Sequence, residues 1–564
     1  MHIGKIGIIG RTYRHMQRYR QILTVLFRNG FGDLVNILKI EQYIEIGLQM
    51  ISRKRREKIE TLSRAERVRM VLEELGPTFI KMGQILSTRP DLLPVEFIRE
   101  LEKLQDDVPP FEYTQVEAII ETELGTPLGN VFKDFEEVPL ASASIGQVHR
   151  ARLADGEEVV VKIQRPDIQK TVEVDLEIML HLATLMEKHL EGWEIQRPTK
   201  IVAEFARTLG KELDYTIEAS HMERFAMQFL NDSRVYVPKV YREVSTGRIL
   251  TMEYIDGIKA SEIALLEEAD LDRCEIARLG LDLIMKQIFI YGFFHADPHP
   301  GNVFILPGNV ICYIDFGMMG RIGRESRENF ADLVVNIAGR DEKKITKALL
   351  RLTVWEEEPN IDALEKNVSE FIDLHFNRPL KELDLGKLLH QLLDMVAKHR
   401  LGVPPDLFLM IKALSTVEGL GRLLNPDLDV AEQAAPFVKR IQMARLNPKR
   451  IAGDIFDSGT ELLQLIKEVP GEVRNILRQA KEGKIKIEFE HCGLEPMLST
   501  FDRVSNRLAF SIVLASLIIG STLIVLSGIP PKWYGIPIIG LMGFSVAGIM
   551  GFWLLITILR RGKM

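Results

Sequence analysis

Three side chains near the middle of the chain have the types and spacing that phosphoryl transfer requires. Asp297 is followed five positions later by Asn302, and Asp315 lies thirteen positions further on, within FFHADPHPGNVFILPGNVICYIDFGMMG. An aspartate can face an acceptor oxygen, while an amide and a second carboxylate from an adjacent hairpin hold Mg²⁺ against nucleotide phosphates. The spacing therefore predicts Asp297 as the catalytic residue, Asn302 and Asp315 as metal ligands, and ATP and Mg²⁺ as cofactors.

The same stretch has the layout of the H-R-D-x-x-x-x-N catalytic loop and the D-F-G triplet of protein kinases. One alternative is that Asp297 and Asn302 only satisfy a turn. Another is a metal cluster of the H-x-D-x-H kind formed by His295, Asp297 and His299. We favour the kinase-like interpretation, in which a histidine just before the loop holds the backbone rather than a metal.

A strand lysine and a nucleotide loop are expected upstream of this site. Residues 139–164 alternate apolar and polar positions around an Asp-Gly turn at 155–156, which predicts a β-hairpin. Lys162 ends the strand and resembles the kinase V-A-I-K lysine that pairs with the α- and β-phosphates. The pattern G-x-G-x-x-G-x-V, laid over the preceding residues, predicts an ATP-binding loop of Ala141, Ser142, Ala143, Ser144, Ile145, Gly146, Gln147 and Val148.

Only the last of the three loop glycines, Gly146, is present. Alanine at positions 141 and 143 cannot adopt positive φ without strain, and its Cβ restricts the approach of the backbone to phosphates. The loop is therefore expected to hold nucleotide differently from a glycine-rich one.

The acidic partner of Lys162 is expected on a helix within KELDYTIEASHMERF, which contains Glu212, Asp214 and Glu218. Glu212 and Glu218 are six positions apart and do not share a face of a regular helix. The residues alone allow only one of them to be the partner and do not choose. Further on, periodicity predicts a helix over 272–294 and short strands over 303–306 and 310–314.

Composition narrows the class of protein. A chain of 564 residues is expected to form several domains, and its net charge of −7 gives no reason to expect nucleic-acid binding. Its cysteines, Cys274, Cys312 and Cys492, are too few and too separated for a disulfide framework or structural zinc site. The arginine-rich first thirty residues lack an uninterrupted apolar stretch, so no secretory signal is expected there. The basic run 53–58 is interpreted as a solvated helix face, with contact to anionic lipid as the alternative.

The C-terminal region contains two charge-free stretches, Leu508 to Pro531 and Trp533 to Leu559. Each is long enough to cross about 30 Å of hydrocarbon, so they predict a transmembrane hairpin, with buried core helices as the alternative. Arginines and a lysine flank the outer ends, whereas the connecting turn holds only Lys532. The positive-inside rule places both ends and the large N-terminal region in the cytoplasm, with the hairpin in the inner (cytoplasmic) membrane.

Small residues in these stretches predict close helix contacts. Ser516 and Gly520 form one small pair, and Gly543, Ala547 and Gly551 recur at four-residue intervals. Such faces allow helices to approach closely. They are expected either to close the hairpin or to form a homodimer.

Several motifs together resemble the UbiB/AarF family of atypical protein-kinase-like proteins. They are the alanine-rich loop ASAS, the E-x-D of Glu212 and Asp214, the loop HADPHPGN and the N-terminal KMGQ. The resemblance covers nearly the whole chain. It implies that Lys81, Gly83 and Gln84 fold over the place where a protein kinase binds a peptide, that Glu212 pairs with Lys162, and that Asp214 belongs to a family motif near the nucleotide.

The predicted fold class is α+β, a protein-kinase-like bilobal fold with an N-terminal helical extension and a C-terminal two-helix transmembrane hairpin. The expected domains are a helical extension with the K-x-G-Q motif (1–110), a β-containing small lobe with a helical insertion (111–260), a helical large lobe and tail (261–500) and the hairpin (508–559).

The resemblance implies Mg²⁺-dependent ATP binding and slow ATP hydrolysis coupled to the handling of isoprenoid-quinone precursors, in support of ubiquinone-type biosynthesis. Expected partners are membrane lipid, those precursors and enzymes of quinone biosynthesis. Two other functions remain open. One is a phosphotransferase acting on a small molecule, and the other is a pseudoenzyme scaffold that binds nucleotide without turnover.

Overall fold

A computed structural model describes residues 12–32, 62–89, 92–104, 108–189, 198–355, 358–375, 385–445, 481 and 495–561. The chain divides into two compact units, Met1–Ala452 and Gly453–Met564. The basic run 53–58 and Cys492 lie outside the described residues. The four domain boundaries stay predictions.

The described helices of the first unit are α1 (Thr12–Arg28), α2 (Arg64–Leu75), α3 (Pro77–Leu86), α4 (Val95–Leu101), α5 (Tyr113–Leu124), α6 (Leu128–Val131), α7 (Ile168–His189), α8 (Pro198–Glu212), α9 (Tyr215–Gln228), α10 (Ile263–Glu268), α11 (Arg273–Met285), α12 (Arg324–Ala338), α13 (Glu342–Leu352), α14 (Ile361–His375), α15 (Leu385–Lys398), α16 (Pro405–Leu424) and α17 (Val430–Arg445). The strands are β1 (Phe132–Phe135), β2 (Ala141–Ser142), β3 (Gly146–Leu153), β4 (Glu158–Gln164), β5 (Val235–Tyr236), β6 (Ile249–Glu253), β7 (Ile258–Lys259), β8 (Phe293–His295), β9 (Val303–Leu306), β10 (Val310–Tyr313) and β11 (Met319–Arg321). A π-helical turn covers Lys286–Tyr291, and 3₁₀ turns cover Arg242–Val244 and Pro300–Asn302.

The small sheet positions the strand lysine. Its order is β1-β3-β4-β6, with β2 paired to β3, and Val148 lies opposite Lys162 in the antiparallel β3–β4 pair. Val159, Val161 and Ile163 share one face of β4 and are fully buried, while Val160 on the other face is buried in a second cluster. The hairpin predicted for residues 139–164 is therefore confirmed.

A second antiparallel hairpin brings the two predicted metal ligands together. In β9–β10, Val303 lies opposite Tyr313, so Asn302, just before β9, and Asp315, two residues after β10, lie near the same end. The N–H of Ile314 donates to the carbonyl of Asn302 at 3.2 Å, which closes this end. Helices α11 and α16 pack behind the hairpin through buried aliphatic residues.

The N-terminal helices form a separate packed layer within the first unit. A capping box starts α2, because the Ser63 hydroxyl accepts from the N–H of Glu66 and the Glu66 carboxylate accepts from the N–H of Ser63. Leu72 of α2 and Phe79 of α3 are buried in one cluster with Phe205 of α8. This packing fixes the orientation of α3, which carries the K-x-G-Q residues.

The second unit contains two long helices, α18 (Glu495–Ser527) and α19 (Ile538–Arg561), joined by short strands β12 (Lys532–Trp533) and β13 (Ile536–Pro537). Within the described residues, Val504–Ser527 is long and apolar enough to cross a membrane, with a mean hydropathy of 2.5 and 6% of its apolar window buried. The apolar part of the second helix, Ile538–Leu554, falls short of the length that the same criteria require for crossing a membrane.

The small residues of α19 pack against α18. A Cβ at Gly543 would lie 2.1 Å from the Ser521 hydroxyl, and one at Gly540 would lie 2.6 Å from Val525. Ala547, on the same face as Gly543, is 4% exposed. This face therefore packs α19 against α18, which is the first of its two predicted uses.

Candidate functional site

A large cleft of about 1240 Å³ in the first unit brings together most of the predicted site residues. Those that line it are Lys81, Gln84, Ala141, Ser142, Ala143, Ile145, Gly146, Val148, Lys162, Glu212, Asp214, Asp297, Asn302 and Asp315. Two predicted loop residues do not line it. Ser144 is buried, and the Gln147 amide bonds the backbone of Phe111, so neither side chain faces the cleft.

The partner of Lys162 is Glu218, not Glu212 as the resemblance implied. The Lys162 ammonium donates to both carboxylate oxygens of Glu218, at 3.0 and 2.9 Å. Glu218 is 6% exposed. Burial disfavours the ammonium, but the carboxylates of Glu218 and Asp315 outweigh this effect and raise the pKa of Lys162 above its ordinary value. Lys162 is therefore a fixed cation at the centre of the cleft.

One helix ends and another begins between the two glutamates. Helix α8 ends at Glu212 and α9 begins at Tyr215, with Asp214 as the N-cap accepting from the N–H of Thr216 at 3.0 Å. The two glutamates thus belong to different helices. Glu212 instead forms an ion pair with Lys81, with an N–O distance of 2.8 Å.

The catalytic-loop histidine holds the backbone. The ring of His295 is buried, its Nε2 bonds the carbonyl of Asp315, and its Nδ1 accepts from the N–H of Asp297 at 3.3 Å. Both ring nitrogens are therefore occupied, which fits the neutral tautomer with hydrogen on Nε2, and burial lowers the pKa of this imidazole. Among the described residues, no group of three or more His, Cys, Asp or Glu side chains could hold a metal. The alternative H-x-D-x-H cluster is thus wrong.

The predicted catalytic aspartate is open to the cleft. Asp297 is 38% exposed, and its carboxylate lies 3.9 Å from the Lys412 ammonium on α16. Lys412 also lines the cleft. The sequence analysis missed this residue because it lies 115 positions beyond Asp297, on a helix with no phosphate-binding motif.

Neighbouring groups favour the ionised form of the Asp315 carboxylate. The Lys162 ammonium lowers the pKa of Asp315 below its ordinary value, against the effect of burial. The N–H of Gly317 donates to its Oδ1 at 2.9 Å. The next residue, Phe316, is held by α9, because His221 bonds its carbonyl at 3.1 Å. His221 is thus a second residue that the sequence analysis missed, one helical turn after Glu218.

The alanine loop takes its shape from Arg165. The guanidinium donates to the carbonyl of Ala143 and to the Ser142 hydroxyl, both at 2.9 Å, and to the carbonyl of Pro109 at 2.7 Å. Within the described loop 141–148, no residue has a positive φ. Gly146 is needed for another reason, since a Cβ there would lie 2.4 Å from the carbonyl oxygen of Ile163.

Freeing this loop is expected to change nucleotide binding. Ala141→Gly or Ala143→Gly adds backbone conformations that alanine disfavours, so we expect altered ATP affinity or an altered balance between hydrolysis and self-phosphorylation. Nucleotide titration and both activity assays check this. Arg165→Lys is the companion variant, because a lysine cannot bond three acceptors in one plane. If the glycine variants match the parent protein in all three assays, the loop alignment is wrong.

The K-x-G-Q segment packs tightly along the cleft. A Cβ at Gly83 would lie 2.2 Å from Leu104 and 2.9 Å from Leu72, so only glycine lets α3 approach α2 and the segment after α4. Gln84 donates to the carbonyl of Leu104 at 3.4 Å. Lys81 extends into the cleft, where its charge helps to lower the pKa of Asp315.

Lys81→Ala is expected to change nucleotide-dependent activity, because it removes the partner of Glu212 and a cation near Asp315. An exposed helix lysine would instead change stability by no more than about 0.5 kcal/mol and leave activity intact. The measurements are ATP hydrolysis and quinone content of cells at matched expression. Parent-like values for both would exclude a functional role. Lys103→Ala is the control, because Lys103 is an exposed lysine paired with Glu100 outside the cleft lining.

A strand lysine paired with a helix glutamate, a loop carrying Asp297 and a D-F-G aspartate define a protein-kinase-like fold with the corresponding side chains around one cleft. Three family models match the chain: the ABC1 atypical kinase-like domain over residues 103–349, the UbiB helical domain over 368–429 and the ABC1/UbiB kinase-like C-terminal domain over 492–560. The chain belongs to the ABC1/UbiB family of kinase-like proteins.

The chain is similar to relatives over nearly its whole length. A Clostridium pasteurianum protein, known as an uncharacterized protein in the hydrogenase 1 5′ region, is 33% identical over 95% of this chain and 100% of its own length. The "probable protein kinase UbiB" of Xanthomonas campestris pv. campestris strain B100 is 32% identical over 96% of this chain and 99% of its own. The solved complex of Rv3197 with erythromycin from Mycobacterium tuberculosis is 25% identical, covers 64% of this chain and 93% of that chain, and has a TM-score of 0.47.

Proposed function

We propose that this protein binds Mg-ATP in the cleft and hydrolyses it slowly, in support of isoprenoid-quinone biosynthesis at the membrane. The observation that carries the proposal is the placement of Lys162, Asp297, Asn302 and Asp315 around one cleft. Their types match the phosphate, base and metal positions of kinase-like enzymes.

The side chains fit Mg²⁺ and a nucleotide. Asn302 and Asp315 supply an amide oxygen and a carboxylate, the hard oxygen donors that Mg²⁺ takes alongside phosphate oxygens. The metal, when bound, supplies charge neutralisation at the phosphates. Lys162 is available to pair with the α- and β-phosphates, and Asp297 is available to orient an attacking water or hydroxyl.

The kinase-like fold alone would also permit protein phosphorylation. The K-x-G-Q helix α3 supports a phosphoryl acceptor other than an added protein, because Lys81 and Gln84 line the same cleft as Asp297. Side chains there reduce the space for an added peptide. The quinone connection rests on the UbiB relatives, and membrane anchoring suits compounds with long isoprenoid tails.

The test of the function has a biochemical and a cellular part. Purified full-length protein should release phosphate from ATP in the presence of Mg²⁺, and Asp297→Asn should retain Mg-ATP affinity but lose turnover. Transfer of label from the γ-phosphate to a metabolite would instead favour the small-molecule phosphotransferase. Nucleotide binding without turnover would favour the scaffold. Quinones and early prenylated intermediates in a deletion strain, with complementation by parent and Asp297→Asn, test the cellular role.

We further propose that both helices of the second unit span the inner membrane. Large apolar side chains that no part of the unit covers support this, among them Ile512, Leu523, Leu526, Ile549 and Phe552. A soluble helix pair would ordinarily bury such residues.

The expected topology has both ends in the cytoplasm and the turn around Trp533 on the opposite side. A cysteine replacing Trp533 should react with a membrane-impermeant maleimide added from outside the cytoplasm. Exposed Cys274 is first replaced by serine, because it would react from the cytoplasmic side. A cysteine at exposed Met227 in the first unit is the cytoplasmic control. Labelling of position 533 only from the cytoplasmic side would contradict the two-span arrangement.

A further inference from the structure

Two guanidinium groups and a histidine ring surround one buried aromatic ring beside the proposed nucleotide cleft. Phe293 of β8 is fully buried, and the Arg224 guanidinium of α9 lies 4.2 Å from its ring centroid. The Arg321 guanidinium of β11 lies 5.7 Å from the same centroid, and Arg321 is paired with Phe293 in the β8–β11 ladder. The His221 ring meets Phe293 edge to face at 5.8 Å.

The positive charges in this cluster act on one another. Burial lowers the pKa of Arg224, and the charge of Arg321 lowers it further. Burial also lowers the pKa of His221, with additional contributions from Arg321, Arg224 and Lys211. Within the part of the chain that the structure describes, neither arginine forms an ion pair with a carboxylate. Two guanidiniums that share one ring, with no carboxylate paired to either, repel each other.

Nearby arginines, in contrast, are paired with carboxylates. Arg242 donates to both oxygens of Glu223 at 2.7 Å, and Arg234 is paired with Asp232 and Asp282. A solvated basic face would place its cations apart in water, whereas Phe293 holds two guanidiniums against one ring. Arg321, Lys211, His221 and Phe293 also line the cleft that contains Asp297 and Asp315. Arg321 and Lys211 therefore face the space in which the proposed reaction takes place, and Arg224 lies on the ring of Phe293, which also lines it.

We propose that Arg224, Arg321 and Lys211 form an anion subsite for a phosphate-bearing compound, separate from the nucleotide phosphates. Guanidinium groups bind phosphate oxygens in a bidentate manner, and lysine adds a point charge. The inference deepens the proposed function, on which it rests, by naming the chemical class of the second compound that enters the cleft. That phosphate belongs either to a soluble phosphorylated metabolite or to a phospholipid headgroup.

The connection to the catalytic segment is direct. His221 lies between the cluster and the D-F-G triplet, since its ring contacts Phe293 and bonds the carbonyl of Phe316. Arg321 lies six positions after Asp315, on the strand that follows the triplet. An anion at the cluster would therefore lie against the segment that positions Asp315.

The probe is inorganic pyrophosphate, titrated by calorimetry into full-length protein in nanodiscs of zwitterionic lipid. Saturating Mg²⁺ and a non-hydrolysable ATP analogue fill the nucleotide site first. The test variant is Arg224→Gln/Arg321→Gln, with Arg321→Gln alone as a second variant, because Arg321 is exposed and its loss should not impair folding. The matched control is Arg207→Gln/Arg242→Gln, which removes the same charge from arginines paired with Glu204 and Glu223.

The expected result is saturable pyrophosphate binding by the parent and control, at least about tenfold weaker in the double variant and weakened in Arg321→Gln. Nanodiscs with added phosphatidylglycerol distinguish the two sources of the bound phosphate. Loss of pyrophosphate binding in these nanodiscs indicates that a lipid headgroup occupies the subsite. Retained binding indicates a soluble metabolite. Equal pyrophosphate affinity in parent and variants would overturn the subsite. So would an equal loss of ATP-analogue affinity in the double variant, which would assign the cluster to the nucleotide. Absence of ATP hydrolysis with intact pyrophosphate binding would reject only the proposed function.

Discussion

Asp315→Asn is expected to reduce Mg-ATP affinity by roughly a hundredfold, equivalent to about 3 kcal/mol. The substitution removes the negative charge that faces the metal in the proposed site, and an amide is a weaker ligand for a hard cation. The fold around it should remain, because the asparagine oxygen can still accept from the N–H of Gly317. Lys162 also keeps its main partner, Glu218.

The measurement is nucleotide titration with and without Mg²⁺, with folding checked by the thermal unfolding midpoint. Asp297→Asn is the control, since its carboxylate is expected to act on the acceptor rather than on the metal. It should bind Mg-ATP like the parent. Unchanged Mg-ATP affinity in folded Asp315→Asn would contradict the assignment of Asp315 as a metal ligand.

The proximity of the candidate site residues could be predicted because most of them are local in sequence. Asn302 and Asp315 flank one short hairpin, so the strand signals at 303–306 and 310–314 were enough to bring them together. The strand pattern that pointed to Lys162 is present in the structure as β4. In these segments the period-two pattern and the side-chain chemistry agree.

The ion-pair partner of Lys162 was harder to predict, although the sequence contains a pattern that indicates it. Asp214 followed by Thr216 is a helix N-cap pattern, and recognising it would have placed Glu218 in the first turn of a new helix. Treating 212–218 as one regular helix hid this boundary. Arg165 and Lys412 are different, because their roles depend on tertiary approach to the alanine loop and to Asp297. No local pattern marks such contacts.

Glu218→Ala should impair nucleotide binding more than Glu212→Ala, which separates the observed pairing from the one expected by resemblance. Removing Glu218 leaves the partly buried Lys162 ammonium without its main partner. Breaking a buried ion pair from one side typically costs about 3 kcal/mol. The ammonium would then be drawn towards Asp315, the other carboxylate that acts on it. Both the phosphate position and the metal position would be disturbed.

Removing Glu212 has a different consequence. Its partner is Lys81 on α3, with an N–O distance of 2.8 Å, and Lys162 keeps both bonds to Glu218. Glu212→Ala should therefore alter the position of the K-x-G-Q residues while the phosphate lysine stays in place. We expect its Mg-ATP affinity to remain within about threefold of the parent, equivalent to less than about 1 kcal/mol.

A pair of double-mutant cycles on Mg-ATP binding free energy makes the comparison quantitative. Lys162→Ala combined with Glu218→Ala should be non-additive by at least about 1 kcal/mol, because each single change already destroys the same interaction. Lys162→Ala combined with Glu212→Ala should be additive to within about 0.5 kcal/mol, because these side chains form separate ion pairs. Glu218→Gln tests charge separately from shape, since the amide oxygen can still accept from Lys162 but no longer balances its charge. Strong coupling of Lys162 to Glu212, with none to Glu218, would mean that α9 does not hold the lysine in solution.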